Sequence, residues 1–180
     1  HAGVCCEVNK IMEIGYKYDI TIMVDCAQSL NSKDKIGNWC GSVSPLAAFS
    51  FHETKNFGCG EGGALVVNNP DLVRRAHFLQ EKGTDRRLVL DGVQSKYGWV
   101  DKGSSYLLSD ILAAILYGQF QKMDEITTLR SKVTKAYHEL LKPFVKKKYV
   151  TTPSISCTEN SNHHAYWCIF DSIENRRNFL

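Results

Sequence analysis

Lys55 stands in the run Ser50-Phe51-His52-Glu53-Thr54-Lys55-Asn56, between two short apolar stretches, a setting that singles out its amine. Asp25 ends the apolar run Ile20-Thr21-Ile22-Met23-Val24. A buried strand there delivers the carboxylate to the carboxyl edge of a sheet, where α/β folds place their ligand chemistry. An amine and an acid at the ends of neighbouring strands suit one chemistry in particular. The amine holds a carbonyl cofactor as a Schiff base, and the acid keeps a ring nitrogen protonated so that the ring accepts electrons. Pyridoxal phosphate needs both. The ordinary alternatives are a solvated surface lysine and an aspartate that only caps a turn.

These residues depend on the elements around them. Glu7 to Tyr18 alternates apolar and polar residues at helical spacing and hands over at Asp19 to the strand ending in Asp25, a βαβ-like rhythm. Leu46 to Phe51 and Ala64 to Asn68 read as two more strands. Pro70-Asp71 opens a helix to about Lys82, with proline at an allowed first-turn position and Gly83 as its stop. Ser109-Asp110 caps a helix through Ile111-Leu112-Ala113-Ala114-Ile115-Leu116, whose apolar width predicts burial on several sides. A further helix runs from Asp124 to Leu141, with Ile126, Leu129, Val133, Ala136, Tyr137 and Leu140 on one face, Arg130, Lys132 and Lys135 on the other, and Pro143 ending it. Tyr166 to Phe170 reads as a strand.

Gly58-Cys59-Gly60-Glu61-Gly62-Gly63 satisfies the G-x-G-x-x-G pattern of dinucleotide sites, but that pattern should follow a strand and open a helix. Here it leads into a strand, so the glycines are read as allowing a sharp turn and a close backbone approach after Lys55.

The ordered set Val24-Asp25-Cys26-Ala27-Gln28, Ser50 to Asn56, Gly60-Glu61-Gly62-Gly63-Ala64, Glu81-Lys82-Gly83-Thr84-Asp85-Arg86 and Lys96 to Asp110 resembles the sugar-nucleotide aminotransferases of the DegT/DnrJ type. The last motif is similar to one branch, the dTDP-4-amino-4,6-dideoxygalactose transaminases of surface-polysaccharide or lipopolysaccharide synthesis. The resemblance implies an α/β fold. The chain is expected to be part of the large domain of a PLP-dependent transferase (aspartate aminotransferase-like, fold type I), followed by the start of a small α+β C-terminal domain. The expected divisions are residues 1–122 for the cofactor-binding part, 123–143 for a connecting helix and 144–180 for the truncated small domain. On that reading the chain is a fragment covering the middle of a longer enzyme, and the phosphate-cradling helix N-terminus and the aromatic ring that stacks on the cofactor lie outside it.

By the same resemblance, Lys55 carries pyridoxal 5'-phosphate, Asp25 pairs with the pyridinium nitrogen, Gln28 lies near the phenolic oxygen and Ser50 binds the phosphate. Serine and glutamine can donate as required, and aspartate stabilises a cation. Ser105 stands where many relatives carry an asparagine that reaches the partner subunit's phosphate, and serine keeps one donor there. His52 either assists proton transfer or hydrogen-bonds locally. His164 is placed near the substrate end, against the alternative of a surface histidine. Arg86, with Arg87, either meets a sugar-nucleotide pyrophosphate or is solvated. The implied reaction is a ping-pong amino transfer from an amino acid, L-glutamate in this family, to a dTDP-linked 4-keto-6-deoxy sugar. Partners would be these substrates and a second copy in a homodimer with shared active sites. The helix after Ser109 helps form that contact in the family, although a plain core helix explains its pattern equally well. A catalytically silent remnant serving as a packing or dimerisation module is the alternative; a sugar dehydratase relative would carry histidine in place of Lys55.

The chain has 180 residues, 43% of them hydrophobic, and a net charge of +3. The short Lys146-Lys147-Lys148 run has no aromatic-studded groove or known module beside it, so no nucleic-acid partner is expected. The seven cysteines show no C-x-x-C spacing, which favours reduced thiols in a cytoplasmic protein over disulfides or a metal site. No membrane segment is expected.

Overall fold

A computed structural model describes residues 1–180. It begins with α1 (Val8–Lys17), whose buried side is Val8, Met12 and Gly15, and continues into β1 (Met23–Asp25). The chain then makes a long excursion to β2 (Leu46–Ser50) and returns through β3 (Gly63–Val67). β1 and β2 are parallel, with Asp25 opposite Ala48, and β2 and β3 are antiparallel, with Ser50 opposite Gly63. Because β1 and β2 run the same way, Asp25 and Ser50 leave the sheet at one edge. β1 is shorter than the apolar run predicts: Ile20 to Ile22 make the approach from α1, and regular pairing starts only at Met23.

After the sheet come α2 (Pro70–Gln80) and α3 (Arg86–Leu90). The Asn69 side chain caps α2 by accepting from Asp71 N–H. The chain leaves α2 through two left-handed residues, Lys82 and Gly83; a Cβ at Gly83 would collide with the carbonyl of Asp101, so glycine is required there. α4 (Asp110–Phe120) is capped by Ser109, as its sequence predicts, but only Leu116 is buried, while Ile111 is 76% exposed. The expected burial on several sides is therefore not met within this chain, since no element packs over the outward face.

α5 (Met123–Lys146) continues three residues past Pro143. Proline removes one N–H but its fixed φ is helical, and the turn closes beyond it through Lys147 N–H to Pro143 O at 3.2 Å. α5 also turns opposite to a simple amphipathic reading. Thr134 and Leu141 are buried and Thr127, Arg130 and His138 half-buried, whereas Leu129, Val133, Tyr137 and Leu140 are exposed. The chain closes with β4 (Val150–Thr151), α6 (Ile155–Thr158), β5 (Ile169–Phe170) and α7 (Ile173–Phe179), β4 pairing antiparallel with β5. Of the strand predicted over 166–170, only its last two residues pair.

The core is small. Phe51, Cys59 and Leu116 pack together with Phe49, Leu108, Leu112 and Phe120 around them. The accessible surface is 12539 Å², against about 8,800 Å² for a compact monomer of 20.3 kDa. Cys5 and Cys40 form a disulfide, which corrects the expectation of reduced thiols throughout; the long excursion between β1 and β2 brings together residues that sequence spacing keeps apart. No group of metal-binding side chains occurs, and no helix is long and apolar enough to cross a membrane.

Candidate active site

Lys55 sits at the tip of the connection between β2 and β3. The pairing of β2 with β3 runs on by one residue, Phe51 N–H donating to Gly62 O at 2.8 Å; the loop beyond is closed by Cys59 N–H to Phe51 O and Glu53 N–H to Gly60 O, both at 2.9 Å, with His52 and Gly60 in a parallel bridge. Glycines make it possible. Gly60 adopts φ +98°, and a Cβ on Gly58 would approach His52 O to 2.7 Å. The motif thus turns a hairpin and feeds a strand, and the dinucleotide reading falls away.

Two adjoining cavities meet at the lysine. A cavity of about 400 Å³ is lined by Asp25, Gln28 and Lys55, with Trp39 and the Cys5–Cys40 pair on its walls. A second, of about 10 Å³, is enclosed by Gln28, Ser50, Lys55, Asn56, Asn162 and His164. Asp25, Gln28, Ser50, Lys55 and His164 are thereby brought together from β1, the turn after it, β2, the hairpin tip and a segment more than a hundred residues downstream.

The hydrogen bonds of these residues define what each has left to offer. Asp25 Oδ1 accepts from Ala27 N–H at 2.8 Å, and Oδ2 makes no hydrogen bond in the chain. Gln28 Oε1 accepts from Ala2 N–H at 2.8 Å, which fixes the amide and leaves its NH2 as the outward donor. Ser50 Oγ accepts from His52 N–H at 3.3 Å, so its hydroxyl hydrogen remains available. Lys55 is in no ion pair. One free carboxylate oxygen, one amide donor, one hydroxyl donor and one unpaired amine match the donor set that a pyridinium nitrogen, a phenolate, a phosphate and an aldehyde require.

His52 lies beside this group but lines neither cavity; its Nδ1 is held by Thr54, and its Nε2 is 3.6 Å from Glu61 Oε1. Arg86 pairs with Glu81 at 3.0 Å and lines neither cavity, and Arg87 pairs with Asp91. Ser105 is exposed, bridged to Glu81.

Sequence reasoning missed the residues that bind the downstream segment to the lysine loop. Asn162, 2% exposed, donates through Nδ2 to Gln28 O at 3.0 Å and to Leu30 O at 2.8 Å, and its own N–H donates to Ser32 Oγ at 2.9 Å. Asn56 Nδ2 donates to Asn162 O at 2.7 Å. From α5, Arg130 donates to His163 O at 3.0 Å and to His164 O at 2.6 Å. Burial, and then the cations of Lys55 and Arg130, hold the His164 imidazole below the usual histidine range. An asparagine directly after the lysine was the one legible signal of this arrangement.

The chain is similar to known aminotransferases. The chain is 31% identical over 160 residues to the UDP-4-amino-4,6-dideoxy-N-acetyl-beta-L-altrosamine transaminase of Campylobacter jejuni subsp. jejuni serotype O:23/36 (strain 81-176), covering 89% of this chain and 40% of that protein. An aminotransferase from Psychrobacter cryohalolentis superposes with a TM-score of 0.84 at 22% identity, covering 95% of this chain and 45% of the other. Spr1654 of Streptococcus pneumoniae, in its PLP form, does so at 0.80 and 22% identity, over 98% of this chain and 48% of that one. The chain thus spans less than half the length of these relatives, and its fold is part of the fold of these aminotransferases. The family model for DegT/DnrJ/EryC1/StrS aminotransferases matches residues 1–180, and the chain belongs to that family.

Proposed function

We propose that this chain carries the lysine-bearing half of the active site of a pyridoxal-phosphate-dependent sugar-nucleotide aminotransferase. The observation that carries the reading is the meeting of Asp25, Gln28, Ser50 and Lys55 at two adjoining cavities, each with an unused group of the type the cofactor needs. When bound, the cofactor supplies a carbonyl for Schiff-base formation and a ring that accepts an electron pair. Lys55 binds the cofactor and, when released from it, moves a proton at the substrate carbon through Nζ. Asp25 Oδ2 holds the proton of the ring nitrogen, the Gln28 amide donates to the phenolic oxygen, and the Ser50 hydroxyl donates to the phosphate.

The remaining assignments belong to the same reading. The amino donor is L-glutamate and the acceptor a dTDP-4-keto-6-deoxy sugar, with His164 and Arg86 on the substrate side and His52 a secondary proton carrier. The similar C. jejuni transaminase is named for a UDP sugar, so the nucleotide is open to direct competition between dTDP and UDP substrates. Ser105 serves the phosphate of the second copy in a cytoplasmic homodimer. The cofactor-binding part ends near residue 122, and the small domain begins near 144.

The deciding experiment is to incubate the purified chain with pyridoxal phosphate, reduce with borohydride and map the adduct by peptide mass spectrometry. Labelling confined to Lys55, and lost in Lys55→Ala, is the expected result. Scattered or absent labelling leaves the aminotransferase as ancestry and the chain as a silent packing module.

A further inference from the structure

Two histidines flank Lys55, and their hydrogen bonds fix opposite tautomers. At His52 the backbone N–H of Thr54 donates to Nδ1 at 3.2 Å, and the Thr54 hydroxyl lies 2.9 Å from the same nitrogen. A backbone N–H can only donate, so Nδ1 of His52 is the acceptor and its lone pair is already used. Its other nitrogen, Nε2, carries the proton and faces Glu61 Oε1 at 3.6 Å.

His164 is the reverse, and the logic starts at a backbone carbonyl. Asn162 O can only accept, so the Asn56 group 2.7 Å from it is the amide nitrogen. That leaves Asn56 Oδ1, an acceptor only, 2.9 Å from His164 Nδ1. The Nδ1 must therefore carry the hydrogen. Nε2 makes no hydrogen bond within the chain and is not sealed from solvent. Arg130 grips the carbonyls of His163 and His164 and so holds the backbone from which the ring projects. Burial, and after it the cations of Lys55 and Arg130, disfavour a second proton on the ring.

We propose that Asn56 and Arg130 are positioning residues that present His164 Nε2 as the free hydrogen-bond acceptor of the Lys55 pocket, for a hydroxyl or ammonium group of the bound substrate. This rests on the aminotransferase reading for the identity of the substrate, but not for the state of the ring. Of the two histidines, His164 offers a free base nitrogen, whereas His52 offers only the proton on Nε2.

The test is nitrogen NMR of the 180-residue chain labelled with 15N-histidine, without cofactor, at neutral pH. The expected spectrum assigns His164 a protonated Nδ1 and a bare Nε2, and His52 the opposite pattern, so each ring controls for the other. Asn56→Leu, which removes the acceptor at Nδ1, should lose the His164 pattern in favour of the Nε2–H form. An Nε2–H tautomer, or a doubly protonated ring, for His164 in the unaltered chain overturns the proposal, and that measurement depends on no variant folding. Diethyl pyrocarbonate, which acylates accessible unprotonated imidazole nitrogens, should modify His164; resistance there would show that Nε2 is closed off and overturn it equally. Failure of pyridoxal phosphate to label Lys55 would instead count against the aminotransferase reading while leaving the tautomer result intact.

Discussion

The two sides of α5 differ sharply in chemistry. The side turned to the rest of the chain is largely polar: Thr127 accepts from Asn31 at 3.1 Å, Arg130 holds two carbonyls, and His138 meets Tyr166 at 3.1 Å and Thr158 at 3.3 Å. The side turned to solvent carries Leu129, Val133, Tyr137 and Leu140, all at least 47% exposed. Precision within this chain thus comes from hydrogen bonds, which fix orientation, while much of its apolar surface is left unused. That surface, like the outward face of α4, can contribute to stability only against further protein.

This contrast breaks most readily at Asn162. Asn162→Ala strands the carbonyls of Gln28 and Leu30 without donors and should lower unfolding stability by about 2–4 kcal/mol, read from urea denaturation. Leu116→Ala, which empties part of the small core, is expected to cost about 2–4 kcal/mol in the same assay, with an unchanged dependence on denaturant. Removal of the α4 cap by Ser109→Ala should cost about 1 kcal/mol by thermal unfolding. Substitution of the outward leucines, Leu129→Ser or Leu140→Ser, should change the stability of this chain by no more than about 0.5 kcal/mol; a loss of 2 kcal/mol or more would mean that the face is already covered in solution.

A pH titration sharpens the same comparison. The imidazoles of His163 and His164 are held low, in both cases first by burial. The unfolded chain therefore takes up these protons first, so the contribution to stability is fully present above the ordinary histidine range, near pH 6.5, and is lost as the pH falls through the lower folded values. His164→Gln should flatten that decline, whereas changes on the outward face of α5 should leave it unaltered.

The first three strands, α1, α2 and the capped start of α4 were legible because period and capping residues are local signals, whereas β4 carried no such signal. Asp25, Gln28, Ser50 and Lys55 were legible as a motif, and their meeting follows from parallel strands that end at one edge. What could not be read was which side of α5 would face inward. An apolar stripe ordinarily marks the buried side, yet here Arg130, on the cationic side, reaches the pocket through carbonyls whose position depends on chain more than thirty residues away. The Cys5–Cys40 pairing was hidden for the same reason, since spacing says nothing about two cysteines joined by an excursion of the chain. The continuation of α5 past Pro143 shows the opposite case, a strong local stop signal overruled by a helix already formed.

The hairpin that carries Lys55 also makes the chemistry a matter of counting. Its two arms are tied by the ladder from Leu46 opposite Val67 to Ser50 opposite Gly63, continued by Phe51 to Gly62. Side chains in such a ladder alternate between faces, so a slip of one residue would exchange the faces and shift the tip by about 3.3 Å along the strand. A single residue inserted into or deleted from the paired stretch of β2 or β3 would therefore move the lysine relative to Asp25 while leaving every residue of the motif in place.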